Sequence, residues 1–172
     1  THQTYALLGV LSPEGAKGLY GPATVVALGL LVAGLVASFF HLGRPERAWR
    51  SAAKWRTSWL SREVIVLPAL MGTVFLYGAA HLTGFNPVLA RLPGGVAIDA
   101  SMAAGAAGAF LAFALFVCTG MIYACLKFLR EWHSPLTVAN YTLLGIASGF
   151  TAAAALAGAL APGEATFFAG WA

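Results

Sequence analysis

Two residues at the ends of one polar segment have the chemistry to exchange protons at a membrane surface. The segment from 41 to 63 reads HLGRPERAWRSAAKWRTSWLSRE. His41 closes one long apolar stretch and Glu63 opens the next, so an antiparallel helix pair returns both to one membrane face. Imidazole titrates near neutral pH and a carboxylate is a proton acceptor. Beside a quinone ring, such a pair can take up the protons that a quinol releases with its electrons. Arg44 and Arg47 could hold negative charge on a reduced ring oxygen, and Trp49, Trp55 and Trp59 could line the entry of a flat apolar ligand. Pro45 can start a short helix in which Arg47, Arg50 and Lys54 recur at three- and four-residue spacing.

Each of these residues also has an ordinary structural reading. Glu63 would complement the dipole of its helix, with Ser61 as the cap. His41 would bond the last carbonyls of its helix, and the arginines would anchor to phospholipid and set orientation. His133, in REWHSPL, falls on the same face as His41. It either lines the pocket, contacts a partner, or is an interfacial residue before a proline-initiated helix. Tyr123 and Glu131 are weaker candidates. His81 and Asp99 fall at the other face in positions ordinary for interface residues, and Cys118 and Cys125 read as small packing residues rather than a metal or disulfide pair.

The elements that must position these groups are membrane helices. Only 9% of the 172 residues are charged and 59% are hydrophobic, with a mean hydropathy of +0.78, where a soluble domain carries about 25% charge. Four stretches are long and apolar enough to cross a bilayer: Ala23 to Phe40, Val64 to Leu82, Ala100 to Leu126 and Val138 to Ala161. Pro22 opens the first, and Pro68 falls in about the first turn of the second. Asn86, Pro87, Pro93, Gly94 and Gly95 mark a turn-rich link before the third; Ser134 and Pro135 start the fourth; Pro162 and Gly163 end it. The run from Tyr5 to Leu11 is a candidate fifth segment at the N-terminus, and the tail from Thr166 to Trp171 is ambiguous. The fold class expected is therefore an all-α integral membrane bundle forming one anchor domain over residues 1–172. Glycine pairs such as Gly105 with Gly108 and Gly145 with Gly149 would let helix backbones approach.

Charge sets the orientation. Arg44, Arg47, Arg50, Lys54, Arg56 and Arg62 lie in the first loop and Lys127 and Arg130 in the third, which leaves only Lys17 and Arg91 for the opposite face. The positive-inside rule makes the basic face cytoplasmic, and a loop that docks an acidic partner would be basic too. The net charge of +4 belongs to these flanking loops, so nucleic-acid binding is not the reason for it.

The residues carry a family resemblance. HLGRPERAW followed by WRTSWLSRE resembles the anchor subunits of the dimethyl sulfoxide reductase type, the membrane components of three-subunit molybdoenzymes. MIYACLKFLREWHSPLTVANYTLLGIASGF is similar to the downstream region in the branch that includes sulfite dehydrogenase anchors. The resemblance implies a quinone-reactive anchor of a bacterial inner membrane, without haem, that uses menaquinone or ubiquinone as a diffusible substrate. It implies two partners: an iron–sulfur electron-transfer subunit and a molybdopterin catalytic subunit, which carry the iron–sulfur clusters and molybdopterin. The family's quinol-associated histidine, arginine and glutamate match His41, Arg47 and Glu63; Arg44 and His133 join them as further quinone-site candidates. Anchors of this family carry more crossings than the four placed here. The sequence also begins at Thr1 without methionine, so a part of a longer chain is expected. A reductase would draw electrons from quinol and a sulfite dehydrogenase would deliver them to quinone, and the downstream block leans to the second.

Two rivals remain at this point, a small-solute transporter and a purely structural anchor. Transporters place ionisable groups or broken helices near the bilayer midplane, whereas the four apolar stretches carry no Asp, Glu, Lys or Arg in their middles. Haem ligation would need facing imidazoles deep within the helices, and neither His41 nor His133 falls there.

Overall fold

The computed structural model describes residues 17–40, 43, 45–91 and 97–171. Within them the chain runs as α1 (Lys17–Phe40), a 3-10 helix (Pro45–Lys54), α2 (Trp59–Thr83), β1 (Val88–Arg91), β2 (Ala97–Asp99), α3 (Ala100–Ala124), α4 (Pro135–Leu160) and α5 (Pro162–Ala169). Helices α1 to α4 are each long and apolar enough to cross a membrane. The expected multi-pass bundle is thus the observed one. His41, Arg44 and the N-terminal run from Tyr5 to Leu11 lie outside the described residues.

Consecutive helices pack against one another, and α1 also touches α4, which brings the ends of the series together. The interior is thin. Its buried apolar residues are Leu19, Leu70, Cys118, Ala124, Ala157 and Ala161, while Leu30, Phe110 and Leu143 are about two-thirds exposed. That inversion suits lipid, which is as apolar as a leucine side chain and gives no reward for burying one. Close packing of small residues holds the helices together instead. A Cβ on Gly78 of α2 would stand 2.6 Å from Thr24 Cγ2 of α1, and one on Gly120 of α3 would stand 3.0 Å from the Val138 Cα of α4. Gly108 lies in ordinary contact with the Thr73 hydroxyl, and Gly105 and Gly108 border a 320 Å³ apolar gap between α1, α2 and α3 rather than a close backbone approach. Gly149 has nothing within 4 Å, so it is not a contact of the kind its spacing suggests. Hydroxyls inside the helices return to their own backbone, as Thr24 does to the Tyr20 carbonyl at 2.6 Å and Thr142 to Val138 at 2.9 Å.

Several boundaries differ from the sequence reading. Helix α1 begins before Pro22, which sits inside it at the sixth position, where its missing N–H forfeits one bond to the Gly18 carbonyl. Helix α2 begins at Trp59, so Pro68 is well inside rather than in the first turn. Its cap is Ser58, whose side chain accepts from Ser61 N–H, and its far end is closed by Gly84 in the left-handed region at φ 72°. Ser61 is therefore not the cap. Pro162 does not merely end α4 but starts α5, which includes part of the ambiguous tail. A buried cluster joins Leu19 of α1 with Ala157 and Ala161, with Leu156, Ala165 and Phe168 packed around it.

The link after α2 is a two-stranded antiparallel ribbon rather than a plain turn, with Arg91 opposite Ala97 and Val88 opposite Asp99. Its polar end fastens α3. Asp99 caps the helix by accepting from Met102 N–H at 2.8 Å and from the Ser101 hydroxyl at 2.9 Å, while Asn86 Oδ1 accepts from Ser101 N–H at 2.9 Å. Burial works against the Asp99 charge, but the bonds from Met102, Ser101 and Asn86 and the nearby His81 prevail and hold its carboxyl below the usual carboxylate range. A depressed folded value means that this charge stabilises the fold at neutral pH. The contribution fades as pH falls below the unfolded aspartate range and is lost on passing the folded value. Asp99→Asn keeps an acceptor for Met102 N–H while removing the charge. The variant is expected to lose part of the acid sensitivity of thermal unfolding in detergent, with Asp99→Ala costing about 1 kcal/mol at neutral pH. Identical pH slopes for wild type and Asp99→Asn would contradict the assignment.

Candidate functional site

The basic loop is built from neighbouring arginine and tryptophan pairs. Arg50 lies 5.8 Å from the Trp49 ring, Arg56 lies 5.3 Å from Trp55, and Arg62 lies 4.1 Å from Trp59. The expected short helix from Pro45 is present, wound as a 3-10 helix. Arg62 is the clamp that sequence reasoning missed. Its Nε donates to the Trp55 carbonyl and its Nη2 to the Arg56 carbonyl, both at 2.9 Å, and the Ser61 hydroxyl donates to the Ser51 carbonyl. One guanidinium on the first turn of α2 thereby ties down the end of the loop. The signal was a fork of donors a few residues past the loop's tryptophans, but its targets are backbone carbonyls that no sequence pattern marks. Arg62→Ala is expected to raise hydrogen–deuterium exchange across residues 51–58 by about tenfold, the equivalent of ~1.4 kcal/mol for the lost bonds. Arg62→Lys should recover little, since an ammonium cannot span both carbonyls. Unchanged exchange in both variants would sink the clamp.

The predicted site residues take different places. Glu63 lies at the fifth helical position of α2, one turn in, rather than opening the helix. The helix-dipole effect falls off within that first turn. Its partner is across the bundle: the Thr119 hydroxyl of α3 donates to Glu63 Oε1 at 2.8 Å, and the Thr119 oxygen also lies 3.0 Å from the Leu115 carbonyl. The bond to Glu63 shows that the start of α2 and the end of α3 share one end of the bundle. Arg47 is exposed on the 3-10 helix, 3.9 Å from its neighbour Glu46. An exposed pair at that distance contributes little, and among the described residues no ion pair joins Arg47 to Glu63. His133 turns back to the end of α3, its Nδ1 lying 2.7 Å from the Ala124 carbonyl. A carbonyl only accepts, so Nδ1 is the donor in this bond. His133 thus closes the α3–α4 turn. Cys118 is buried and Cys125 exposed, both free thiols.

The same end of the bundle gathers other residues. Tyr123 near the end of α3, Trp132 in the turn and Tyr141 of α4 form one aromatic group. Tyr123 and Trp132 meet edge to face at 4.9 Å, and Tyr123 stacks with Tyr141 at 6.1 Å and 23°. Tyr123 stands one helical turn past Thr119, the partner of Glu63. Together with Glu131, Asn140 and Leu144 these rings line an open cleft of 530 Å³. Tyr123 and Glu131 thus gain weight as site residues, while Trp132 and Tyr141 carried no motif that would single them out.

A bundle of helices long and apolar enough to cross a membrane, with a basic loop at one rim, is the architecture of a membrane anchor. The family model described as DMSO reductase anchor subunit (DmsC) matches residues 16–169, and the chain belongs to that family. It is 52% identical over 172 residues to a sulfite dehydrogenase subunit of Allochromatium vinosum, an alignment that covers all of this chain and 53% of the relative. The chain thus spans about half the length of the curated relative it matches. No solved structure matches it.

Proposed function

We propose that this chain is the quinone-reactive part of a membrane anchor that exchanges electrons with an iron–sulfur partner, itself joined to a molybdopterin catalytic subunit. The observation that carries the reading is Glu63. It is a carboxyl one turn inside a membrane helix, held by Thr119 of the facing helix, and among the described residues it forms no ion pair. Membrane helices keep such groups where they serve a proton or substrate path. The relative from Allochromatium vinosum, a sulfite dehydrogenase subunit, supports the dehydrogenase direction, in which quinone receives the electrons. Residues 1–172 act as one anchor domain in the bacterial inner membrane, with the basic loop on the cytoplasmic side, as the positive-inside rule requires.

In that reading a membrane quinone, menaquinone or ubiquinone, takes up two electrons from the partner's clusters and two protons through side chains of this rim, or releases both in reverse. Glu63 exchanges a proton at its carboxyl and Thr119 fixes the orientation of that carboxyl. His41 is the second proton-exchanging group, Arg44 and Arg47 offset negative charge at the ring oxygens, and His133 holds the α3–α4 turn that borders the cleft. The metal centres reside in the partners. Assayed in the full-length anchor within its complex, His41→Gln is expected to suppress quinone-linked turnover while electron transfer with an artificial dye persists. Normal quinone kinetics in both His41→Gln and Glu63→Gln would overturn the proposal and leave a structural anchor.

A further inference from the structure

Glu63 and the basic loop lie at the rim, and the described residues next to them form an open cleft in which a flat ring can rest. The cleft lies between α3 and α4. Its three aromatic side chains pack on one another at 4.9 to 6.1 Å, which makes them one continuous aromatic wall against which a flat ring can lie. Its lining is zoned by depth. Glu131 and Trp132 belong to the turn at the membrane rim. Tyr141 is six residues past Pro135, so at 1.5 Å per residue it is about 9 Å into the helix, with Leu144 a further turn inward. A ligand with a polar, planar head and an apolar tail matches that order, with the Asn140 amide available to its oxygens, while the Thr137 hydroxyl is already given to the Trp132 carbonyl at 2.8 Å. The volume of 530 Å³ is within the range of small-molecule sites, roughly 300–1,000 Å³.

We infer that the cleft bounded by Tyr123, Trp132 and Tyr141 is the binding site for the quinone head group, with Glu63 as its proton-exchanging neighbour. This inference rests on the quinone-reactive reading and adds where the ring sits. Tyr123 is the residue that joins the two, since it lines the cleft and stands one helical turn past Thr119, whose hydroxyl is bonded to Glu63. Trp132, 45% exposed, forms the outer wall. The rings hold and orient; they do not themselves react.

The test uses the full-length anchor in its complex, with a short-chain ubiquinone as the probe. Trp132→Leu and Tyr141→Leu are each expected to raise the quinone KM about tenfold, as loss of a ring contact of ~1.4 kcal/mol would, with kcat changed less than twofold. Tyr141→Phe, which keeps the ring, should recover most of the loss relative to Tyr141→Leu. Binding is read separately by tryptophan fluorescence. The quinone should quench the wild type more than Trp132→Phe, a comparison that survives if the leucine variants fail to assemble. An unchanged KM in both leucine variants, or equal quenching with and without Trp132, overturns the cleft as the site. If Glu63→Gln still abolishes quinone turnover in that case, the wider reading stands and only the location falls. If Glu63→Gln is silent as well, both fall.

Discussion

Glu63→Gln is expected to lower quinone-linked turnover by about 100- to 10,000-fold, the usual range for loss of a positioned proton-transfer group, while the helix bundle stays intact. The substitution separates chemistry from structure because it is nearly isosteric. The amide oxygen can still accept from the Thr119 hydroxyl, as Glu63 Oε1 does at 2.8 Å, so the α2–α3 contact is retained. What disappears is the capacity to take up and release a proton. The hydroxyl of Thr119 has a single proton and two oxygens within reach, Glu63 Oε1 and the Leu115 carbonyl. Its role is therefore to orient the carboxyl rather than to carry protons onward. The measurement pairs quinone-linked with dye-linked electron transfer in the same membranes. Glu63→Gln should abolish the first and spare the second. Loss of both would mean that the complex no longer assembles, and retention of both would reduce Glu63 to a strut between helices.

The largest effect on stability should come from Gly120→Leu. A Cβ at this position would stand 3.0 Å from the Val138 Cα and 3.5 Å from the Tyr141 and Val138 Cβ atoms. The nearest of these is backbone, which cannot swing aside as a side-chain tip can, so α3 and α4 must separate. Forcing extra carbons into a packed contact costs about 1–3 kcal/mol, and the separation also displaces Tyr141. The thermal midpoint in detergent should fall by several degrees, and quinone affinity should fall with it. Gly149→Leu on α4 is the control, because nothing lies within 4 Å of that glycine. Equal midpoints for the two leucine variants would show that the close approach at Gly120 contributes nothing.

Much of the fold was legible from polarity alone. Four uncharged apolar stretches must become helices in lipid, because a helix is the one open-ended segment that satisfies its own backbone there. The boundaries were less legible, since they depend on local bonds. Ser58 rather than Ser61 caps α2 because its hydroxyl meets the Ser61 N–H, and two serines three residues apart look alike in a string of letters. The β-ribbon was hidden behind its Pro and Gly residues. Strand pairing over so few residues draws on the neighbouring helix cap at Asp99 as much as on strand propensity.

The site divides in the same way. Residue type and order are enough to make this a membrane chain with most of its basic residues at one face and Glu63 at the edge of a helix there. Hydrocarbon sorts charge from apolar surface without regard to packing detail. The pairing of Glu63 with Thr119 across the bundle, the tie from Arg62 to the loop carbonyls, and the meeting of Tyr123, Trp132 and Tyr141 in one cleft appear only in three dimensions. Those pairings depend on the rotation and approach of α2, α3 and α4. The approach is set by small residues such as Gly120, whose role shows only when a neighbouring backbone lies against it.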